Sequence, residues 1–433
     1  MMSRSRVGMA RHASTVVFML LLLMIPAATY AGTGPLVVAV ATGGDVYWWH
    51  QTKWDGEIIQ VYEGNALQPF IAPDGNRVAF TAGDDGLPQS LWVVADNDEA
   101  RQMVTPEQIG GALVDQVEWL DATTVYFNTS TLSEFGAVPQ DDLWRVDTAT
   151  EELTNVLPAG EGGAFSIFLN TTGERLFAIV SAGSFDEAGE PETDGSIRII
   201  DRAAQEIRTL LTFPSVQTFS HNRFYPQVHW GYDNEAQAPE AYVAIPDALF
   251  DPVDNAVDVV LWRIPSSGEA VQFETLQVEN GLRLGFSPDA LYTYRIVDSI
   301  NGREVIINST GDYNSDSQWV LEIQDKEFFW NGDLTTVDTQ GFDIYVSPDR
   351  LIGDDPGLEF ELAGEADLET DETLVHIATP FYRVVVYATL SESDYIIRWN
   401  TFGNTTLREE IGRIPVQPSQ SGFTMSVITV PLD

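Results

Sequence analysis

The stretch from Leu67 to Thr105 reads LQPFIAPDGNRVAFTA, then GDDGLPQS, then LWVVADNDEARQMVT. Short apolar runs flank Pro73-Asp74-Gly75, and two more flank Asp96-Asn97-Asp98. Proline and glycine supply the dihedrals of a tight turn, and aspartate and asparagine bond back to their own backbone. The segment therefore reads as strand, turn, strand, loop, strand, turn, strand, a self-contained up-and-down unit of four.

The same order returns along the chain. VDQVEWLDATTVYFNTS with DDLWRVDTATEELTNVL, and AFSIFLNTTGERLFAIVS with DGSIRIIDRAAQEIRTLL, repeat it clearly. Fainter copies are YPQVHWGYDN with VVLWRIPSSGEAVQFETL, GLRLGFSPDALYTYRIVD with SQWVLEIQDKEFFW, and GFDIYVSPDR with YIIRWNTFGNTTLREEI. The first-turn marker (Asp74, Asp121, Thr172, Tyr232, Asp289, Asp349) and the third-strand marker (Trp92, Trp144, Arg198, Trp262, Trp319) keep one rhythm of roughly 50 to 60 residues, the period of a propeller blade. The fold class is thus all-β, a single β-propeller of four-stranded blades.

The ends fit the ring. LVVAVATGG, DVYWWHQTKWDGE and IIQVYEG look like strands two to four of a blade without its first, and FTMSVITV near the C-terminus is an apolar strand without partners. Pairing the two closes the propeller and removes an open edge. Six complete units and the shared one make seven blades. Six or eight remain open, because an extra segment stands near SINGREVIINST and an acidic insert is read over residues 353–373.

Unit 67–105 resembles the TolB-type "PD" propeller repeat, in which the first strand ends in a [SA]-P-D-G turn and the third opens on an aliphatic-Trp pair. Ser287-Pro288-Asp289 and Ser347-Pro348-Asp349 echo that turn without its glycine. The resemblance implies the fold; it implies neither one function nor any functional residue.

Composition narrows the function classes. The 433 residues carry 22 basic and 65 acidic side chains, a net charge of −43, and no cysteine. Nucleic acid is disfavoured as a partner, since a phosphate backbone calls for a basic face. The two lysines, Lys53 and Lys326, leave no GxxxxGK[ST] phosphate loop, and thiolate chemistry is excluded. Arg4, Arg6 and Arg11, the run VVFMLLLLMI and the small residues before Ala31 have the layout of a secretory signal. We therefore expect residues 1–31 to be a signal peptide and 32–433 an exported propeller, extracellular or periplasmic, monomeric and without a permanent membrane anchor.

Candidate chemistry is sparse. Gly285-Phe286-Ser287-Pro288-Asp289 lacks the closing glycine of a nucleophile elbow, so no catalytic residue is assigned. His50, His221 and His229 read as polar edges of aromatic packing, with no H-E-x-x-H helix. Asp312, Asn314 and Asp316 place oxygens at the first, third and fifth positions of a calcium loop that lacks its glycine and final glutamate. Aspartate recurs before the third strand, as Asp45, Asp84 and Asp85, Asp141 and Asp142, Asp194, Asp258, Asp316 and Asp394. In a propeller those loops share one face, so an acidic rim that collects cations or a basic partner is one reading, and backbone capping is the other. Trp48, Trp49 and Trp54 are candidates for sugar or peptide contact. The expected role is a protein- or ligand-binding scaffold; the alternative is a carboxylate-based, carbohydrate-active hydrolase or lyase, with calcium as a possible cofactor.

Overall fold

Alternating apolar runs between strong turn signals pair with their chain neighbours, and they do so throughout a computed structural model. It describes residues 34–96, 98–133, 136–169, 175–185, 191–201, 206–215, 223–233, 238–246, 256–265, 269–279, 284–286, 292–299, 302–309, 319–322, 327–330, 334–337, 341–346, 361–367, 372–381, 384–401, 409–416 and 422–430. The chain is a β-propeller of antiparallel up-and-down sheets, each taking its strands in sequence order. The exception is the first sheet, in which Leu36–Thr42, Asp45–His50 and Ile59–Tyr62 are completed by Phe423–Thr429.

That pairing is the closure expected from the sequence, with Leu36 opposite Thr429 and Thr42 opposite Phe423. LVVAVA has no polar residue because both faces of this strand are covered. Leu36, Val38 and Val40 pack with Met425 and the last sheet, around Val386 and Ile397. Val37, Ala39 and Ala41 face the second sheet, around Val78 and Phe80. At roughly 1.5–3 kcal/mol per buried aliphatic side chain, this seam is a major part of the core.

First strands of successive sheets lie side by side near the axis and bond through side chains. Thr424 Oγ1 donates to Leu67 O, Trp119 Nε1 to Phe70 O (2.9 Å), and Trp230 Nε1 to Ser166 Oγ (3.2 Å). Glu118 Oε2 accepts from Ile167 N at 3.0 Å, and Gln116 Oε1 from Phe165 N at 3.0 Å.

Among the described residues there are eight such sheets, where the repeat spacing gave seven units with eight left open. A bulge on the third strand shows why. It falls between Val46 and Tyr47, Leu91 and Trp92, Leu143 and Trp144, Ile197 and Arg198, Leu261 and Trp262, Ile344 and Tyr345, and Ile397 and Arg398. The aliphatic-aromatic marker of the repeat is therefore the site of the bulge, where the strand twists away from its outer neighbour. Gly341–Val346, read from the sequence as a first strand, carries the bulge and is the third strand of the seventh sheet. Trp319 opens a fourth strand, and Gly302–Ser309, read as an extra segment, is the third strand of the sixth sheet. Glu361–Asp367, inside the acidic insert, is the outer strand of the seventh. Loops of unequal length shift the spacing, so that first and third strands look alike in sequence.

Candidate functional site

Loops from second to third strands run beside the connections from fourth to first strands on one face. Ala66 N donates to Gly44 O (2.8 Å), Gly83 N to Asn65 O (3.1 Å), Val114 N to Pro88 O (2.7 Å) and Gly162 N to Asp141 O (2.6 Å). The aspartates expected on this face differ in what they do there.

Asp45 is buried; its Oδ1 accepts from Gly64 N at 3.2 Å and its Oδ2 from Tyr47 Oη at 3.5 Å. Asp142 is also buried, taking Thr129 N at 2.8 Å, Thr129 Oγ1 at 2.6 Å and Trp144 Nε1 at 2.6 Å. Asp394, half-buried, accepts from Ser393 Oγ at 2.7 Å. Asp45 and Asp142 accept from backbone amides and so fasten their loops at the strand entry, whereas the Asp394 carboxylate bonds the neighbouring serine hydroxyl. Asp85, Asp194 and Asp258 are exposed, with Asp85 in a left-handed turn (φ 56°) and Asp258 on a strand. Asp316 lies outside the described residues, as do Asp312 and Asn314 of the candidate calcium loop. Among the described residues no group of three His, Asp or Glu side chains is placed to hold a metal.

The acceptor two residues before an aromatic is itself a repeated device. Trp92 Nε1 donates to Ser90 Oγ (3.0 Å) as Trp144 donates to Asp142, and Trp92 stacks on Phe80 (6.3 Å, 15°) as Trp144 stacks on Phe127 (6.2 Å, 12°). Trp92 and Trp144, and Trp262 packed against the core of the fourth and fifth sheets, are thus packing elements, as the regular spacing of these tryptophans in the sequence suggests.

The most constrained part of the face centres on Asp141, one of the loop aspartates read from sequence, with Arg223 and Tyr225, which the sequence did not single out. Two second-to-third loops extend into hairpins: Thr124–Ser133 with Gly136–Pro139 in the third sheet, and Ser184–Phe185 with Pro191–Thr193 in the fourth. Arg223, far along the chain, ties their bases together. Its Nη1 meets Asp141 Oδ2 at 2.5 Å and Gly183 O at 3.2 Å, and its Nη2 meets Pro139 O at 3.0 Å. Tyr225 Oη donates to the other Asp141 oxygen at 2.7 Å. Burial, then the Asp141 charge, pushes the Tyr225 hydroxyl far above its ordinary range, so it stays a donor. Asp141 is buried in a left-handed conformation (φ 50°), which aspartate tolerates better than most residues. Arg198 donates to Gly162 O at 2.8 Å beside this cluster. Asp115 is open to solvent along one edge yet crowded by protein, and burial with the nearby Asp142 raises its carboxyl above the usual range. An isolated arginine in a chain so short of cations was the sequence signal that could have led to Arg223.

The tryptophan candidates lie elsewhere. Trp48 and Trp49 are buried, which removes them as contact residues. They are core because the DVYWWH strand is covered on both faces. Trp54 is half-buried, in a left-handed turn with Asp55 and Gly56 (φ 51°, 54° and 76°) that Trp49 Nε1 holds through Gly56 O at 2.9 Å. Its ring meets Trp48 edge-on at 5.0 Å, and Lys53 Nζ lies 5.9 Å above it. Lys53 reaches on to Asn76 Oδ1 (2.6 Å) and Asp96 Oδ2 (3.0 Å), latching the first sheet to the second.

No family model and no curated protein sequence matches the chain. Among solved structures it is similar to AztD of Citrobacter koseri, at 10% identity and a TM-score of 0.45 over 93% of this chain and 100% of that one. It is also similar to the β-propeller domain of the Trilobed protease from Pyrococcus furiosus (12%, 0.43, over 80% and 98%). TolB from Acinetobacter baumannii, whose repeat the sequence resembles, is a third (12%, 0.29, over 65% and 62%).

Proposed function

We propose that the chain is an exported binding or scaffolding propeller whose loop face receives a basic protein segment or ligand. One observation carries the reading: among the described residues, Asp84, Asp85, Glu192 and Asp194 expose their side chains on this face, while Arg198 and Arg223 are engaged by carbonyls and Asp141. The outward field is therefore negative in a chain of net charge −43. Export rests on the leader-like residues 1–31. No helix among the described residues is long and apolar enough to cross a membrane.

A carboxylate hydrolase needs two acids free to exchange protons at one pocket. Asp141 and Asp142 instead have their oxygens held by donors, which favours the scaffold. The test is binding of a fluorescent lysine-rich peptide to the chain and to a D84N/D85N/E192Q/D194N variant. The reading expects at least a tenfold loss of affinity in the variant and a steep fall with salt. Equal affinity in both proteins refutes it. Fractionation of cells expressing the chain with and without residues 1–31 tests export.

A further inference from the structure

Glu192 and Asp194 are presented differently from the other exposed carboxylates of the face. Both side chains meet solvent, yet the backbone that carries them is gripped from beneath. Ser184 lies opposite Thr193 and Phe185 opposite Pro191, so Glu192 is the extra residue of a bulge, a feature that re-aims a side chain. Buried Ser215 donates its hydroxyl to Thr193 O, and Thr193 Oγ1 lies 2.9 Å from Ser184 Oγ. Gly183 (φ +77°) packs so closely that a Cβ would run into Ser215 Oγ, Thr193 O and the Asp194 carbonyl carbon. Its own carbonyl is held by Arg223 at 3.2 Å. Gly195, next after Asp194, lies opposite Phe213, whose ring fills the space a Cβ would take. Ser215 and Arg223 belong to one segment, the connection from Glu206–Phe213 to His229–Asp233. Asp84 and Asp85 lack such support. Their turn ends at Gly86, where a Cβ would meet nothing within 4 Å, and Asp84 Oδ1 already accepts from Asn65 Nδ2 at 3.2 Å.

We propose that Glu192 and Asp194 are the carboxylates that select the basic ligand, and that Ser215 is a positioning residue acting through them. The connection between the fourth and fifth sheets fixes their backbone, so the ligand's ammonium or guanidinium groups meet acceptors already in place. A pair held in advance loses less freedom on binding than the same pair on a loosely packed turn. Asp84 and Asp85 then supply long-range attraction rather than defined contact. The inference rests on the acidic face proposed above and assigns its contact to one pair.

The test titrates the fluorescent lysine-rich peptide against D84N/D85N and E192Q/D194N. Each variant removes two charges, so a field spread over the face gives equal losses. The positioned pair instead gives about tenfold weaker binding in E192Q/D194N and about twofold in D84N/D85N. Ser215→Ala removes a hydroxyl and no charge. It is expected to weaken binding about threefold in the unmodified chain and to change nothing in the E192Q/D194N background, read below the melting transition of every variant. A merely structural Ser215 weakens binding alike in both backgrounds. Equal losses in the two double variants overturn the assignment to Glu192 and Asp194 and leave the acidic face standing. A Ser215→Ala effect that is absent, or that persists in E192Q/D194N, overturns the positioning role. The comparison of the two surface variants decides the pair even where Ser215→Ala does not fold. No binding to the unmodified chain, or no loss in either double variant, overturns the acidic face and this inference with it.

Discussion

Arg223 Nη1 lies 2.5 Å from Asp141 Oδ2, joining the connection between the fourth and fifth sheets to a loop of the third and, through Gly183 O and Pro139 O, the roots of two hairpins. Asp141 is buried and Arg223 largely so. Removing either partner strands a charge away from water. Arg223→Leu is expected to cost about 3 kcal/mol or more, and Asp141→Asn somewhat less because the amide still accepts from Tyr225. Chemical denaturation measures both, and a change under 1 kcal/mol for Arg223→Leu would show that the clamp is dispensable.

Gly75 packs its turn against the closing seam. Its φ is +66°, and a Cβ there would lie 2.6 Å from Val430 Cγ2 and 3.0 Å from Val37 Cγ2. Gly75→Ala therefore combines an unfavourable dihedral with overpacking and is expected to destabilise by about 2 kcal/mol. Deleting residues 420–433 removes Met425 and exposes the Leu36–Thr42 edge, with an expected fall in Tm of roughly 10 °C or more. An unchanged Tm in the deletion would remove the seam from the stability argument.

His229 is crowded against the Phe286 ring, 5.2 Å away, and burial pulls its pKa down to about 4. Above pH 6.5 the imidazole is neutral folded or unfolded, so it contributes no pH dependence. As pH falls from 6.5 toward 4, the unfolded chain takes up a proton that the fold refuses, and stability falls by about 1.4 kcal/mol per pH unit. Burial shifts His376 in the same direction. His229→Gln is expected to flatten Tm against pH across that window, and an unaltered slope would assign it to other groups.

Trp48 and Trp49 are neighbours with different polar accounts. Trp48 Nε1 is buried without a hydrogen-bond partner, whereas Trp49 Nε1 holds the left-handed turn through Gly56 O. Both phenylalanine variants lose volume, but only Trp49→Phe loses a satisfied bond, so it is expected to be about 1 kcal/mol more destabilising. Paired denaturation curves check the difference.

What was legible from sequence was what local chemistry dictates. PDG turns, alternating runs and the unpartnered terminal strands specified an all-β propeller and its closure, because each acts within a few residues or through simple apolar pairing. The division into sheets was legible where loops are short. It slipped after residue 298, where Gly302–Ser309 and Gly341–Val346 carry third-strand roles that the spacing alone did not distinguish. The side-chain roles were decided by the tertiary structure. Asp142 and Asp85 share one motif position, yet one is consumed inside the fold and the other faces water. Arg223 finds Asp141 only because the fold brings the connection between the fourth and fifth sheets against a loop of the third. Whether a carboxylate is a cap, a clamp or an exposed charge depends on which donors the packed neighbours place within hydrogen-bond reach, and those donors lie dozens of residues away in the chain.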